Sequence, residues 1–332
     1  MRPTRVISVC VRGRPVRNAE HNIERMHMLE LAASEIVARS DWTPADAVLF
    51  PAGYFHLDHS LVTLAEPQQS QCIQAAPFAG ACRRAAQHLD RWSPGVLLVV
   101  GIDAAPAHKR LRGDQAVAAW RADALAGHAV KAIPVAEEAA GSADRRLASQ
   151  WENYVSPTRF ARLASGETAV VCVCYDAFGL AATADGPCTP FRSICLLDQH
   201  SRATPVSLPL QRSLVARWQG LFAAHRPTVA LIAIHGFEHP GRDGYWQRHG
   251  IATASAALGG GLAVGAAHFR YALPVGANQS PLAAHGVSDR HLHAGTLRLA
   301  HNLPTRDAFW ITIGNSTKPR ALVRLFEGAP LA

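Results

Sequence analysis

Three short stretches hold side chains whose types and positions suit chemistry. Cys174 closes the apolar run Val170–Val173 and is followed by Tyr175, Asp176, Ala177, Phe178 and Gly179. A cysteine that ends a strand and enters a tight turn presents its sulfur to a pocket, with the next backbone N–H groups placed to receive an oxyanion. The alternative for Cys174 is a buried structural thiol, the common state of a reduced cysteine. Lys131, in Val130-Lys131-Ala132-Ile133-Pro134, is a lone cation in an apolar stretch, and its alternative is an edge-strand lysine in solvent. With Lys109 and Lys318 it makes up the chain's 3 lysines, against 30 arginines. A retained lysine is informative because a guanidinium does not reproduce the compact point charge of an ammonium. The third stretch, Val48 to Phe55, is an apolar run that breaks at Pro51-Ala52-Gly53, where a plain turn is the alternative.

Histidines form a second group. His56 and His59, with Asp58 between them, directly follow the Ala52 turn, and a loop there could bring an imidazole to a cysteine sulfur. His235 lies near the end of the apolar run from Val229, where a core or rim histidine making one hydrogen bond is the plain reading. His291 and His293, taken with His56 and His59, supply imidazoles but no recognisable metal-ligand spacing, so no metal is expected.

The elements that must position these groups alternate between short apolar runs and amphipathic stretches. Strands are expected at Arg5–Val11, Ala47–Phe50, Gly95–Ile102, Gln115–Arg121, Ala129–Val135, Ala169–Cys174, Val229–His235 and Leu262–His268. Helices are expected at Glu20–Ala38, Gln71–Leu89, Leu210–Ala224 and Tyr245–Leu258, with short strands and turns over the last sixty residues. Strands covered by helices make an α/β protein, and the absence of a repeat or linker favours one domain over residues 1–332.

Composition narrows the function classes. With 48% apolar and 17% charged residues, the 332-residue chain is not disordered. The first residues lack the long apolar core and cleavage site of a signal peptide, so a cytoplasmic protein is expected, with no spanning helix and no membrane partner. A net charge of +8 raises nucleic acid as a partner, but the arginines are not interleaved with aromatics that would stack bases, so none is expected. Seven cysteines with no CxxC pair disfavour both a disulfide scaffold and structural zinc.

Together, the three stretches resemble the nitrilase superfamily of carbon-nitrogen hydrolases, which carries a Glu, a Lys and a Cys in this chain order. Val173-Cys174-Tyr175-Asp176 matches its cysteine element, and Phe178-Gly179 is similar to the continuation of that element without its proline. Gly101-Ile102-Asp103, Ala116–Trp120 and Gly127–Lys131 resemble the hairpin leading to the lysine, and Gly244-Tyr245-Trp246 and Ala267-His268-Phe269 the later helix and strand.

The resemblance implies an α-β-β-α sandwich, a homo-oligomer, no cofactor, and hydrolysis of a small-molecule amide or nitrile through a thioester. It casts Cys174 as nucleophile and Lys131 as stabiliser of the negative charge. It also implies a substrate-positioning carboxylate after the lysine, at Glu137 with Glu138 beside it, and pocket places for Tyr175 and His235. Residues 179–209 exceed the family's usual connection and read as an insertion that caps the pocket or joins subunits. The departure is at the base: where the resemblance leads one to expect Glu in Phe50-Pro51-Ala52-Gly53-Tyr54, the chain has Ala52, whose methyl accepts no proton. His56 is a candidate substitute. The alternative is a catalytically silent protein that keeps the fold to bind a small molecule or partner.

Overall fold

Along β1 (Thr4–Arg12) the side chains enter two apolar layers in alternation: Val6 and Cys10 one, Ile7, Val9 and Val11 the other. A strand apolar on both faces must be covered on both, and that requirement sets the layering. The computed structural model describes residues 2–39, 42–61, 64–105, 115–131, 155–180, 195–197, 203–205, 207–237, 250–269, 300–301, 308–312 and 320–328. After β1 come α1 (Asn22–Ala38), β2 (Ala47–Leu49), β3 (Phe55–Leu57), α2 (Glu66–Ala75), α3 (Ala79–Trp92), β4 (Leu97–Ala104), β5 (Gln115–Arg121) and β6 (Ala124–Val130). The second half holds β7 (Phe160–Arg162), β8 (Thr168–Val173), β9 (Cys195–Leu197), β10 (Ala203–Pro205), α4 (Leu208–His225), β11 (Val229–Phe237), α5 (Ala252–Ala257), β12 (Leu262–Phe269), β13 (Ala300–His301), β14 (Ala308–Ile311) and β15 (Ala321–Gly328).

The strands form two faces of a sandwich joined through β1. One face runs β6-β5-β4-β2-β1 and continues through the antiparallel partner β15; the other runs β12-β11-β8-β7. Residues Thr4–Val11 pair with β15 on one edge of β1, so β2 (at Val6–Ser8) and β12 (at Val11–Arg12) share the opposite edge. Across the interior β8 faces β5 and β6, and β11 faces β4 and β2. Outside the first face lie α1 and α3; their buried positions Met28, Leu29, Ala32, Ala33 and Ile36, and Cys82, Ala85, Ala86 and Leu89, recur at helical spacing. Trp218 of α4 stacks on Phe160 of β7, and α5 packs on β12 and β11. The α-β-β-α sandwich expected from the sequence is therefore the arrangement of the chain.

Two elements depart from expectation. The helix expected over Gln71–Leu89 is two helices, α2 and α3, interrupted at Ala76-Pro77-Phe78. Pro77 lacks the N–H that would continue the ladder, and it forces Ala76 into an extended conformation (φ −61°, ψ 146°). The strand expected over Ala129–Val135 begins earlier, at Ala124, and ends at Val130; Lys131 follows it directly. Most of the expected insertion at 179–209 lies outside the described residues. Among the described residues no helix is long and apolar enough to cross a membrane.

Candidate active site

Cys174 is the first residue beyond β8 and opens a 3-10 turn, Cys174–Gly179. Its φ is +47°, in the left-handed region that β-carbons disfavour by roughly 1–2 kcal/mol. Two other described non-glycine residues share that feature: Ala122 in the β5–β6 hairpin and Arg226 at the end of α4. Those two lie where chains ordinarily reverse or stop. Cys174 instead sits at the end of a buried parallel strand, where a strained elbow points to function. The residue is 7% exposed.

A buried ion pair anchors the elbow. Asp176 accepts from Arg159 at 3.1 Å, with both side chains essentially inaccessible. The guanidinium also donates to the carbonyl of Val130, next to Lys131, and to that of Val171 in β8. Arg159 thereby ties the end of the lysine strand to the strand that delivers Cys174. Cys172, one turn of the pleat earlier, is a structural thiol: burial pushes its pKa up to about 12, a rise that nearby Arg159 opposes and Asp176 reinforces.

Lys131 is 6% exposed, so the solvent-facing alternative does not hold. Its N–H donates to the Gln115 carbonyl at 2.7 Å, and its ammonium Nζ donates to Gln115 Oε1 at 2.8 Å. Gln115 Nε2 in turn meets His235 Nδ1 at 2.9 Å, and His235 Nε2 meets Asp103 Oδ1 at 2.7 Å. Four side chains from the ends of β4, β5, β6 and β11 are thus strung together.

Ala52 is fully buried and belongs to the same corner. Its N–H donates to the Ile234 carbonyl at 3.2 Å, beside His235. Ala233 pairs with Val173, so the next positions along the two parallel strands are Ile234 and Cys174. The turn that carries Ala52 lies flat on Gly101: a β-carbon there would fall 2.2 Å from the Pro51 carbonyl oxygen and 2.3 Å from Ala52 Cα. Gly53, with φ +63°, leaves room for Asp103, whose Oδ2 lies 2.7 Å from where its β-carbon would stand.

Of the other expected site residues, Tyr175 is half-buried against the inter-sheet core. His56 stands on β3, its peptide clamped by two 2.9 Å bonds to the Asn22 side chain, and its ring faces Asp58 at 3.6 Å. His59 is exposed, and Glu137, Glu138, His291 and His293 lie outside the described residues. Sequence reasoning missed Asp103, Gln115, Arg159 and His268. Asp103, a carboxylate ending an otherwise apolar strand, carried a readable signal; His268 offered none beyond its place in a strand. His268 is buried, and both its ring nitrogens lack a hydrogen bond, although the backbone of Ala52 and Gly53 lies against it. Burial, with Arg25 and His235 nearby, holds its pKa well below the ordinary imidazole value, so it is neutral. Among the described residues no cluster of three or more metal-ligating side chains occurs.

Among the solved structures this chain resembles are amidases. An amidase from Nesterenkonia sp. is 14% identical, with 98% of this chain and 90% of that one covered and a TM-score of 0.44. A cysteine-to-alanine variant of the Nesterenkonia AN1 amidase, described as from the nitrilase superfamily, gives the same figures. Another such variant, solved with butyramide, is 14% identical over 98% of this chain and 91% of that one, with a TM-score of 0.43. No family model and no curated protein matches the sequence.

Proposed function

We propose that the protein hydrolyses a carbon-nitrogen bond in a small amide, with Cys174 as nucleophile and Lys131 as the charge that steadies the developing oxyanion. The observation that carries this reading is the strained left-handed elbow at Cys174, at the end of a strand that faces, across the interior, the strand delivering a buried lysine. In the proposed reaction the Cys174 sulfur adds to the amide carbon, the amine leaves, and water releases the acid from the thioester. Tyr175 and His235 line the approach, and Glu137 takes the substrate-positioning role.

The test is peptide-mapped alkylation of Cys174 across pH, followed by a screen of small amides. A midpoint well below the ordinary thiol value of about 8.5, and turnover abolished in Cys174→Ser, are the expected results. Turnover unchanged in Cys174→Ser refutes the proposal. One observation favours a second reading, a silent binding protein: Ala52 offers no proton acceptor where the resemblance places the general base. On that reading Cys174 has an ordinary or raised midpoint, and Ala52→Glu brings amide hydrolysis above background.

A further inference from the structure

The hydrogen-bond string from Lys131 to Asp103 fixes its own proton positions. An ammonium has donors only, so the Gln115 oxygen must face Lys131 and the Gln115 amide N–H must face His235. His235 Nδ1 is therefore the acceptor and carries a lone pair. Its proton sits on Nε2 and is donated to Asp103. That tautomer, with a carboxylate behind the protonated nitrogen, is the arrangement that orients an imidazole and stabilises its cation.

The location is as specific as the tautomer. Ile234 pairs with Ala267 and Gly236 with His268, so His235 is the extra residue of a β-bulge in β11. Bulges beside sites re-aim a side chain that a regular strand would place elsewhere. The bulge adjoins Ile234, whose carbonyl receives the Ala52 N–H, and Asp103 packs against Gly53. The pair therefore stands beside the position where the carboxylate is missing. Its side chains are 26% and 20% exposed, within reach of an entering molecule, whereas His268 is sealed in the core.

We propose that His235, backed by Asp103, is the acid–base residue of this site and supplies the function absent at Ala52, with Gln115 as a positioning residue. This rests on the Cys174 reading above. His235 Nδ1 exchanges the Gln115 N–H for the Cys174 thiol, and Lys131 passes from Gln115 Oε1 to the oxyanion as that charge forms. The Cys174 thiol proton passes to His235 Nδ1 while the sulfur bonds to the amide carbon. Collapse of the tetrahedral adduct breaks the C–N bond, and the imidazolium returns that proton to the departing amine. Water then adds to the thioester carbon and gives a proton to Nδ1; the C–S bond breaks, and the proton goes to the Cys174 sulfur. The net change is amide plus water to acid plus amine.

The charged and titratable groups around His235 are Asp103 from β4, Lys131 after β6 through Gln115, and His268 on β12 with Arg25 behind it; the register of β11 on β8, with Ala233 opposite Val173, brings Cys174 to the same end of the sheet. The test is the pH dependence of Cys174 alkylation by iodoacetamide in the full chain, alongside amide turnover. The wild type should show a reactive limb below the ordinary thiol midpoint. His235→Gln should remove it and cut the rate at pH 7 at least tenfold, on the low side of the 10²–10⁴ typical of general-base assistance. Asp103→Asn, which keeps the shape of the carboxylate, should cut it several-fold. A folded His235→Gln protein with the wild-type profile overturns the proposal, as does a wild type without the limb. If His235→Gln does not fold, Asp103→Asn decides in the same way. The two readings separate cleanly. A limb that depends on His235 without amide turnover keeps the dyad and removes the hydrolase, whereas turnover with an unchanged His235→Gln profile does the reverse.

Discussion

Replacing Arg159 by Met tests whether the ion pair beneath Cys174 holds the site together. Met keeps much of the aliphatic stem, so the change removes mainly the guanidinium. What is lost is a 3.1 Å charge-assisted bond to Asp176 and the donations to the Val130 and Val171 carbonyls. What remains is a carboxylate with no solvent exposure. Breaking a buried pair from one side costs about 3–5 kcal/mol, because the abandoned charge has neither partner nor water. Against a total stability of roughly 5–15 kcal/mol, that is a third or more of the whole for many domains. The double variant Arg159→Met/Asp176→Leu discards the stranded charge and should recover part of the loss, giving a coupling of about 2 kcal/mol, within the range for contacting residues. Urea unfolding followed by circular dichroism measures the two singles, Arg159→Met and Asp176→Leu, and the double. A single Arg159→Met loss below about 1 kcal/mol, or a double loss equal to the sum of the singles, refutes the assignment of that pair as the anchor.

Acid should destabilise the protein through His128 and His268, both held neutral by burial in the native chain. The unfolded chain protonates them near 6.5, so it binds more protons below that pH; stability is complete above about 6.5 and falls by up to about 1.4 kcal/mol per pH unit per histidine. Urea midpoints at pH 7, 6 and 5 should show this slope reduced in His268→Phe, and an unchanged slope would contradict the assignment. Gly101→Ala should lose about 1–3 kcal/mol and displace the Pro51-Ala52 turn, because its β-carbon meets backbone that has no rotamer to yield. Wild-type stability in that variant would show that the close approach is not maintained in solution.

What the sequence made legible follows from range. The Cys174 elbow was readable because it is local: an apolar run, a cysteine and a turn lie consecutively. The alternation of strands and helices was readable because each carries its own periodicity, whereas the α-β-β-α layering followed from the resemblance. The break at Pro77 is local too, yet the expected helix over Gln71–Leu89 ran through it. The Asp103–His235 pair was not readable, because its members meet only when β4 and β11 face each other and a bulge turns the ring. The burial of Lys131 was likewise a matter of tertiary covering. An apolar neighbourhood in sequence was equally compatible with an edge strand.

The placement of β1 bears on how the chain reaches this state. Residue 4 lies beside residue 328, and the same strand joins the two faces of the sandwich. Contacts so distant along the chain require a large loop to close before any bond repays it, and folding slows accordingly. Of the described strands β1 is synthesised before the others, but its antiparallel partner β15 after them. Until then β1 has one edge open and apolar faces uncovered, the condition in which strands pair with the wrong neighbour. The yield of folded protein should therefore depend on chaperones and on expression temperature more than the stability of the finished fold would suggest.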